Sequence, residues 1–397
     1  MLFRTFCLLL VLSAQYSFSQ GIKFQKISLE KAINEAKTNN KKVFIDIHTK
    51  WCPNCDWMQE EVFQNKKIGN HYNQNYICID IDAESTQGIV LIKKYKLHVY
   101  PSFLYLDSDG NPIHLLTGVM NKDEFVKDTK EAENTSTQLF NLQKEIHTNK
   151  SQDLNVLSRY IYVSYKAGYA DDKTLKEFLV KVDENSLKNK WVWMALKEAT
   201  MYSGLHSDAL QKLVQHTASI EKDYGIKDII QTINAAANVS MQPFVEKRDI
   251  QGWEDLMAYL DKSLGKQGKT LNCAYNPTFY INIKEYSTAF SKMEQGVQLL
   301  SDRDPEVRAY LYRNWAWNIY HYYDDKDKLN MGLEWINISI KSHPYSINYE
   351  TKAGLLFKLK QYKEARINAE KAIELAKKEK VHPTLAHLVL DELDGMK

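Results

Sequence analysis

Two hydrophobic periods divide the chain. Up to about residue 130, short runs in which apolar side chains are continuous or alternate predict strands, and apolar residues three and four apart predict the helices between them. Ser28 is a good N-cap for a helix over 29–37, with Ala32, Ile33 and Ala36 on one face and Asn39-Asn40 as its stop. Val43, Phe44, Ile45 and Ile47 read as a buried strand, residues 52–63 as a helix with Met58, Val62 and Phe63 inward, and 76–82 as an alternating strand. A helix over 89–95, a strand over 100–106, a turn at Asp107-Ser108-Asp109-Gly110-Asn111, a returning strand over 113–116 and a closing helix over 122–130 follow. This order packs as an α/β domain with a central mixed sheet covered by helices on both faces.

Beyond a polar stretch at 131–137, read as a linker, the period is helical throughout. Helices are predicted over 154–167, stopped by Gly168, over 174–182, over 191–202, stopped by Gly204, and over 208–221, started by Ser207. Residues 308–323 with 329–342, and 347–359 with 362–377, form two helical hairpins separated by Pro344.

The chemistry sits where the first strand hands over to a helix, at Trp51-Cys52-Pro53-Asn54-Cys55. Cys52 falls at the helix N-terminus, where free amides and the helix dipole favour a thiolate, which makes it the better nucleophile. Cys55, one turn on, is placed to close a disulfide with it and to attack after Cys52 has formed a mixed disulfide. Half a zinc site and a purely structural disulfide are the alternatives. Zinc needs two further ligands, and no second Cys-x-x-Cys or His-x-x-x-His pair occurs, so neither a metal nor an organic cofactor is expected.

Composition and charge decide the setting. Residues 1–19 carry Arg4, an apolar run over 6–12 and small residues Ser17 and Ser19, the pattern of a secretory signal peptide. Export is expected, to the periplasm if the source is Gram-negative, with no lipid anchor, since Cys7 lies inside the apolar run. The 52 basic and 50 acidic residues leave a formal charge of +2, which points to neither nucleic acid nor an anionic membrane. Beyond Cys7 the cysteines are Cys52, Cys55, Cys78 and Cys273, too few for a disulfide scaffold, so the pair reads as a working dithiol. Cys78, alone in a strand, reads as core. The length suggests two or three domains, assigned as 20–135, a helical-hairpin domain over 136–300, and 301–397.

Trp51-Cys52-Pro53-Asn54-Cys55, the aspartate six residues before Cys52, and Val99-Tyr100-Pro101 followed by a strand and an Asp-x-Asp-Gly turn together resemble the thioredoxin family. The Ser28-led helix and the Met58, Val62, Phe63 pattern resemble its bacterial secreted subgroup, and the likeness covers about residues 25–132. It implies a thioredoxin fold and thiol–disulfide exchange, with Cys52 attacking and Cys55 resolving. It also implies a buried carboxylate at Asp46 behind Cys55, and a cis-proline at Pro101 facing the disulfide, with Tyr100 beside it. A buried Asp46 would have a raised pKa and could exchange a proton with Cys55 through water. The alternatives are a polar strand residue facing solvent at Asp46 and a trans proline opening an edge strand at Pro101.

This sequence departs from the family at His48 and Thr49, where an aromatic residue and alanine are common, at Pro53, and at Asp56, where lysine is common. His48 either couples to Cys52 or is a surface residue. Pro53 removes one amide donor near the thiolate, and Asp56 and Asp46 add negative charge, so Cys52 is expected nearer a pKa of about 7 than about 3.5. That favours a reductase or isomerase kept reduced by a membrane electron donor and acting on protein thiols or disulfides.

In the final hairpin Ala353, Tyr362, Ala365, Ala369 and Ala372 resemble the small and aromatic positions of a tetratricopeptide repeat, with Gly332 matching Ala365 at a 33-residue interval. Such repeats would bind a protein or peptide. Trp191, Trp193, Trp315, Trp317 and Trp335 either line a binding groove or pack between helices. A different class of function stays open, an interaction scaffold in which the helices do the work and the cysteine pair is a slow, inherited disulfide.

Overall fold

Strands β1 (Phe24–Gln25), β2 (Lys42–His48), β3 (Tyr76–Asp82), β4 (Ser102–Leu106) and β5 (Pro112–Thr117) form one mixed sheet in the order β1-β3-β2-β4-β5. Both β1 and β2 run parallel to β3, β4 is antiparallel to β2, and β5 to β4. The computed structural model describes residues 21–397 apart from Asp302, Lys380 and Lys397, so the predicted signal peptide and Cys7 lie outside the described residues.

The alternation of β2 sets the two faces of the sheet. Val43, Ile45 and Ile47 point to one side, where they meet Ile79 and Leu104 and the apolar faces of α1 (Leu29–Asn39) and α4 (Thr86–Tyr95). Phe44 points to the other, into a core with Cys78, Phe103 and Tyr105 of the sheet, Met58, Val62 and Phe63, Tyr72 of α3 (Lys66–Asn75) and Phe125 of α5 (Lys122–Glu133). Its ring lies 4.7 Å from Tyr72 and 5.1 Å from Tyr105. Each such buried side chain contributes about 1.5–3 kcal/mol. The Cys-bearing helix α2 (Pro53–Trp57) continues as one π turn over Met58–Val62, which keeps both of those side chains in this core.

The Ser28 cap is present, its Oγ accepting from the Lys31 amide, and Asn40 ends α1 in the left-handed region at φ 52°. The mixed α/β sheet expected from the pattern, and the thioredoxin fold that the family resemblance implies, are what is observed, with strand β3 spanning the anticipated residues. Three readings need correction. The strand β1 and the helix α3 were not anticipated. Helix α5 runs on to Glu133, and the rest of the supposed linker is a tied corner in which Thr137 Oγ1 donates to Glu131 O at 2.7 Å and Gln138 Nε2 to Ala132 O at 3.0 Å. Residues 208–221 belong to two helices rather than one.

The chain divides into two compact units, one holding the described residues to Ser203 with Ser207–Ala236, the other Gly204–His206 and Ala237–Lys397. The first therefore includes α6 (Leu139–His147), α7 (Leu154–Lys166), α8 (Asp172–Lys181), α9 (Lys190–Ser203), α10 (Asp208–Gln215) and α11 (Thr217–Tyr224) as well as the sheet. The core on the Val43 face continues without a break through Leu139, Leu142, Leu157, Ile161, Phe178 and Leu196. Polar ties reinforce it. His114 Nδ1 on β5 accepts from the Leu139 amide at 3.1 Å, Tyr162 donates to Glu131 at 3.0 Å, and Lys166 pairs with Asp128. Burial holds His114 neutral, pushing its pKa down to about 3, with the Lys166 charge adding to the effect.

After α12 (Ile226–Lys247), the second unit contains α13 (Ile250–Leu264), α14 (Lys266–Asn282), α15 (Tyr286–Leu299), α16 (Pro305–Tyr322), α17 (Lys326–Ser342), α18 (Ser346–Lys358), α19 (Tyr362–Glu379) and α20 (Thr384–Gly395). Helix α16 packs on α17 and α18 on α19. Gly332 permits close approach, since a Cβ there would come within 3.0 Å of Ile319 and 3.3 Å of Leu355. Ala353, Ala365, Ala369 and Ala372 are fully buried in the same way. Trp193, Trp315 and Trp335 are buried in helix contacts, the rings of the last two 5.5 Å apart, whereas Trp191 and Trp317 are half-buried.

Candidate active site

Cys52 is the N-cap of α2 and Pro53 its first residue, so the strand-to-helix handover anticipated from the sequence is the local geometry observed. The two cysteines form a disulfide with Cα atoms 5.3 Å apart, and the Cys55 amide donates to the Cys52 sulfur at 3.1 Å. An amide held at the sulfur, at a helix N-terminus, is the arrangement that stabilises a thiolate once the bond is reduced. Asn54 and Pro53 are exposed, and Trp51 is 66% exposed, its indole N–H donating to Glu84 at 2.9 Å.

The peptide bond between Tyr100 and Pro101 is cis. Pro101 is buried, its carbonyl accepts from the Gly118 amide at 2.8 Å, and the Tyr100 ring stands edge-on to Trp51 with centroids 6.4 Å apart. Trp51 and Tyr100 thus flank one surface beside the disulfide.

Asp46 is 1% exposed, on the same face of β2 as Phe44. Its Oδ2 accepts from Gln59 Nε2 at 2.7 Å and lies 3.7 Å from His48 Nδ1, while Oδ1 has no protein partner. Burial pushes its pKa up to about 7, and Asp80, its register partner on β3, adds to the rise, while the Gln59 hydrogen bond opposes it. Asp80 in turn pairs with Lys26 at 2.6 Å. Cys55, Gln59, His48, Asp80 and Lys26 all line one cavity of about 220 Å³. That is room for several water molecules at roughly 30 Å³ each. Cys55, Gln59, which bonds Asp46, and His48 beside it therefore border the same cavity.

His48 is accordingly half-buried and next to Asp46, not a free surface residue. Gln59 and Asp80 were missed by sequence reasoning, although signals existed: Gln59 falls four residues after Cys55 on one helix face, and Asp80 shares the alternation of β3 with Cys78. Asp56 is exposed on α2. Cys78 is buried and its thiol pushed well above the usual range, as a core cysteine should be, and burial raises Cys273 to about 11. Among the described residues no group of three or more His, Cys, Asp or Glu could hold a metal ion, and no helix is long and apolar enough to cross a membrane.

The sheet, the Cys52–Cys55 disulfide and the cis-proline define a thioredoxin-like domain, and residues 29–133 match the family model described as a thioredoxin-like domain. The chain is 33% identical over 81 residues to the spermatogenesis-associated protein 20 of Mus musculus, covering 20% of this chain and 9% of that protein. It is 27% identical over 95 residues to the thiol:disulfide interchange protein DsbD of Yersinia pestis (strain Pestoides F), covering 23% of this chain and 16% of that protein. Among solved structures it is similar to a candidate disulphide-isomerase from Bacteroides thetaiotaomicron, at 29% identity over 29% of this chain and 96% of that one, with a TM-score of 0.28. The C-terminal domain of Neisseria meningitidis DsbD is similar at 22% identity, 28% and 98% coverage, and a TM-score of 0.25.

Proposed function

We propose that this protein is an exported thiol–disulfide oxidoreductase, working as a reductase or isomerase on protein disulfides. The observation that carries the reading is the disulfide at the N-terminus of α2 with Asp46 buried beside it at a pKa of about 7. In the reduced protein the Cys52 thiolate attacks a substrate disulfide, forming a mixed disulfide and releasing one substrate thiolate. Cys55 loses its proton through water in the cavity to ionised Asp46, then attacks the Cys52 sulfur and releases the second substrate thiol. Two electrons pass to the substrate, and the protein is left with the Cys52–Cys55 bond. A thiol electron donor, membrane-held in this reading, returns it to the dithiol, and the two thiols complete the chemistry without metal or organic cofactor. Gln59 holds Asp46 with His48 beside it, Tyr100 ahead of the cis-proline presents its backbone to the substrate chain, and the second, helical unit serves partner binding through repeats of tetratricopeptide type. Periplasmic residence follows if the source is Gram-negative.

The test is reduction of insulin and of a small disulfide by the full chain with a thiol donor. Turnover that is lost in Cys52→Ser supports the reading. No turnover by the unsubstituted chain on either substrate would leave the helical scaffold as the working part.

A further inference from the structure

On the first unit, a groove of about 740 Å³ lies between the end of α4 and the helices α6, α7 and α9. Aromatic rings form its floor: Tyr95 is 6.0 Å from Phe140, which is 6.4 Å from Tyr169, whose hydroxyl donates to the Tyr95 carbonyl. Tyr202, 44% exposed on α9, is among the lining residues.

The groove is continuous with the redox surface along the backbone. Lys96, in the left-handed region at φ 48°, ends α4, and Leu97-His98-Val99-Tyr100 then leads into the cis-proline. His98 lines the groove and precedes Pro101 by three residues, at most about 10 Å of extended chain. A polypeptide lying against the cis-proline would reach the groove within roughly three of its own residues. Exposed Val99, and Tyr100 with the edge-on Trp51, pave that distance.

Charge selects the occupant. Lys94, Lys96 and His98 border the groove and are exposed, with the Lys94 ammonium 5.0 Å above the Tyr95 ring. The one carboxylate among the lining residues, Asp171, is already engaged: it caps α8 through the Thr174 amide at 3.1 Å, accepts from the Thr174 hydroxyl at 2.7 Å and pairs with His147 at 3.2 Å. The border is left with uncompensated positive charge above an aromatic floor.

We propose that this groove docks an extended segment of the protein substrate, acidic and bearing aromatic or aliphatic side chains, a few residues from the reacting cysteine. The inference rests on the oxidoreductase reading, because it gives the groove to the substrate of that reaction.

The test uses the full chain and a cysteine-free fluorescent peptide of alternating Glu and Phe, with a Lys-and-Phe peptide as control, followed by anisotropy at low salt. The acidic peptide should bind at least fivefold more tightly than the basic one, and 0.5 M salt should remove most of the difference. Lys94→Glu with Lys96→Glu should weaken the acidic peptide by roughly fivefold or more, and Tyr202→Ala should weaken both peptides. In a second measurement, the ratio of kcat/KM for a disulfide embedded in the acidic peptide to that for hydroxyethyl disulfide should fall about fivefold in the charge-reversed variant. Equal affinity for the two peptides, or an unchanged acidic-peptide affinity on charge reversal, would overturn the proposal. Because the binding measurement needs no redox chemistry, it decides the groove even if the chain proves unable to reduce any disulfide.

Discussion

Replacing Asp46 by asparagine keeps the shape and the bond to Gln59 while removing a charge from a site with 1% exposure. The carboxyl pKa rises from 3.8 to about 7 on folding. Below about pH 3 both folded and unfolded chains hold the proton, and burial of a charge costs nothing. Between about 4 and 7 the unfolded state ionises while the folded state does not, so stability falls as pH rises, by about 1.4 kcal/mol per unit. Above about 7 both are ionised and the full cost, on the order of 4 kcal/mol, is in force. Asp46→Asn should therefore exceed the parent by only about 1 kcal/mol near pH 4.5 and by the full cost at pH 8. For a unit of roughly 200 residues, that excess corresponds to a Tm raised by about 8–16 °C. The assay is calorimetric unfolding of the oxidised full chain, in which Cys52 and Cys55 do not titrate. A stability gap of the same size at pH 4.5 and pH 8 would refute the reasoning. The same variant should slow release of the mixed disulfide by on the order of a hundredfold.

The cysteine roles separate on non-reducing gels: Cys55→Ser should accumulate mixed disulfides and Cys52→Ser should not, and adducts on Cys52→Ser alone would reverse the assignment. Equilibration with glutathione should give a potential nearer the thioredoxin value of about −270 mV than the oxidant value of about −120 mV, and the latter would mean a disulfide-forming enzyme. His114→Gln should destabilise the protein at pH 7.5, but the gap should close towards pH 4.5. His114 is held neutral at a pKa of about 3, whereas the unfolded chain gains a proton below about 6.5, so this stability is lost as pH falls. Acid titration of both proteins checks it, and a constant gap would mean that His114 acts only as the acceptor for Leu139.

The site was legible in the sequence where one local pattern carried it. Val43, Phe44, Ile45 and Ile47 are apolar enough to mark a strand, and the change to helical spacing at Cys52 marks its end. What escaped depends on contacts distant in sequence. Strand β1 is two residues long, too short to show a period. Helix α3 buries only Ile68, Gly69 and Tyr72 in an otherwise polar KKIGNHYNQN, so its apolar stripe is too thin to read. The local spacing of Gln59 after Cys55 and of Asp80 in β3 gives each a face, but pairing either with Asp46 needs the bond across 13 residues and the β2–β3 register, which no local pattern states. The stretch at 131–137 looks like a linker because it is polar, but its polar groups are spent on one another and on the end of α5.

Because the Val43-face core runs on into α6, α7 and α9, the thioredoxin-like part has no moment of independent existence. A ribosome that has made residue 135 has released a sheet with one side partly bare, and about a hundred residues, or roughly 5–20 s of synthesis, separate it from Ala236. Throughout that interval the two cysteines are joined to a sheet whose Val43 face lacks part of its cover. A chain cut at 135 is then an arrested folding intermediate that should aggregate, whereas one cut at 236 carries its own cover.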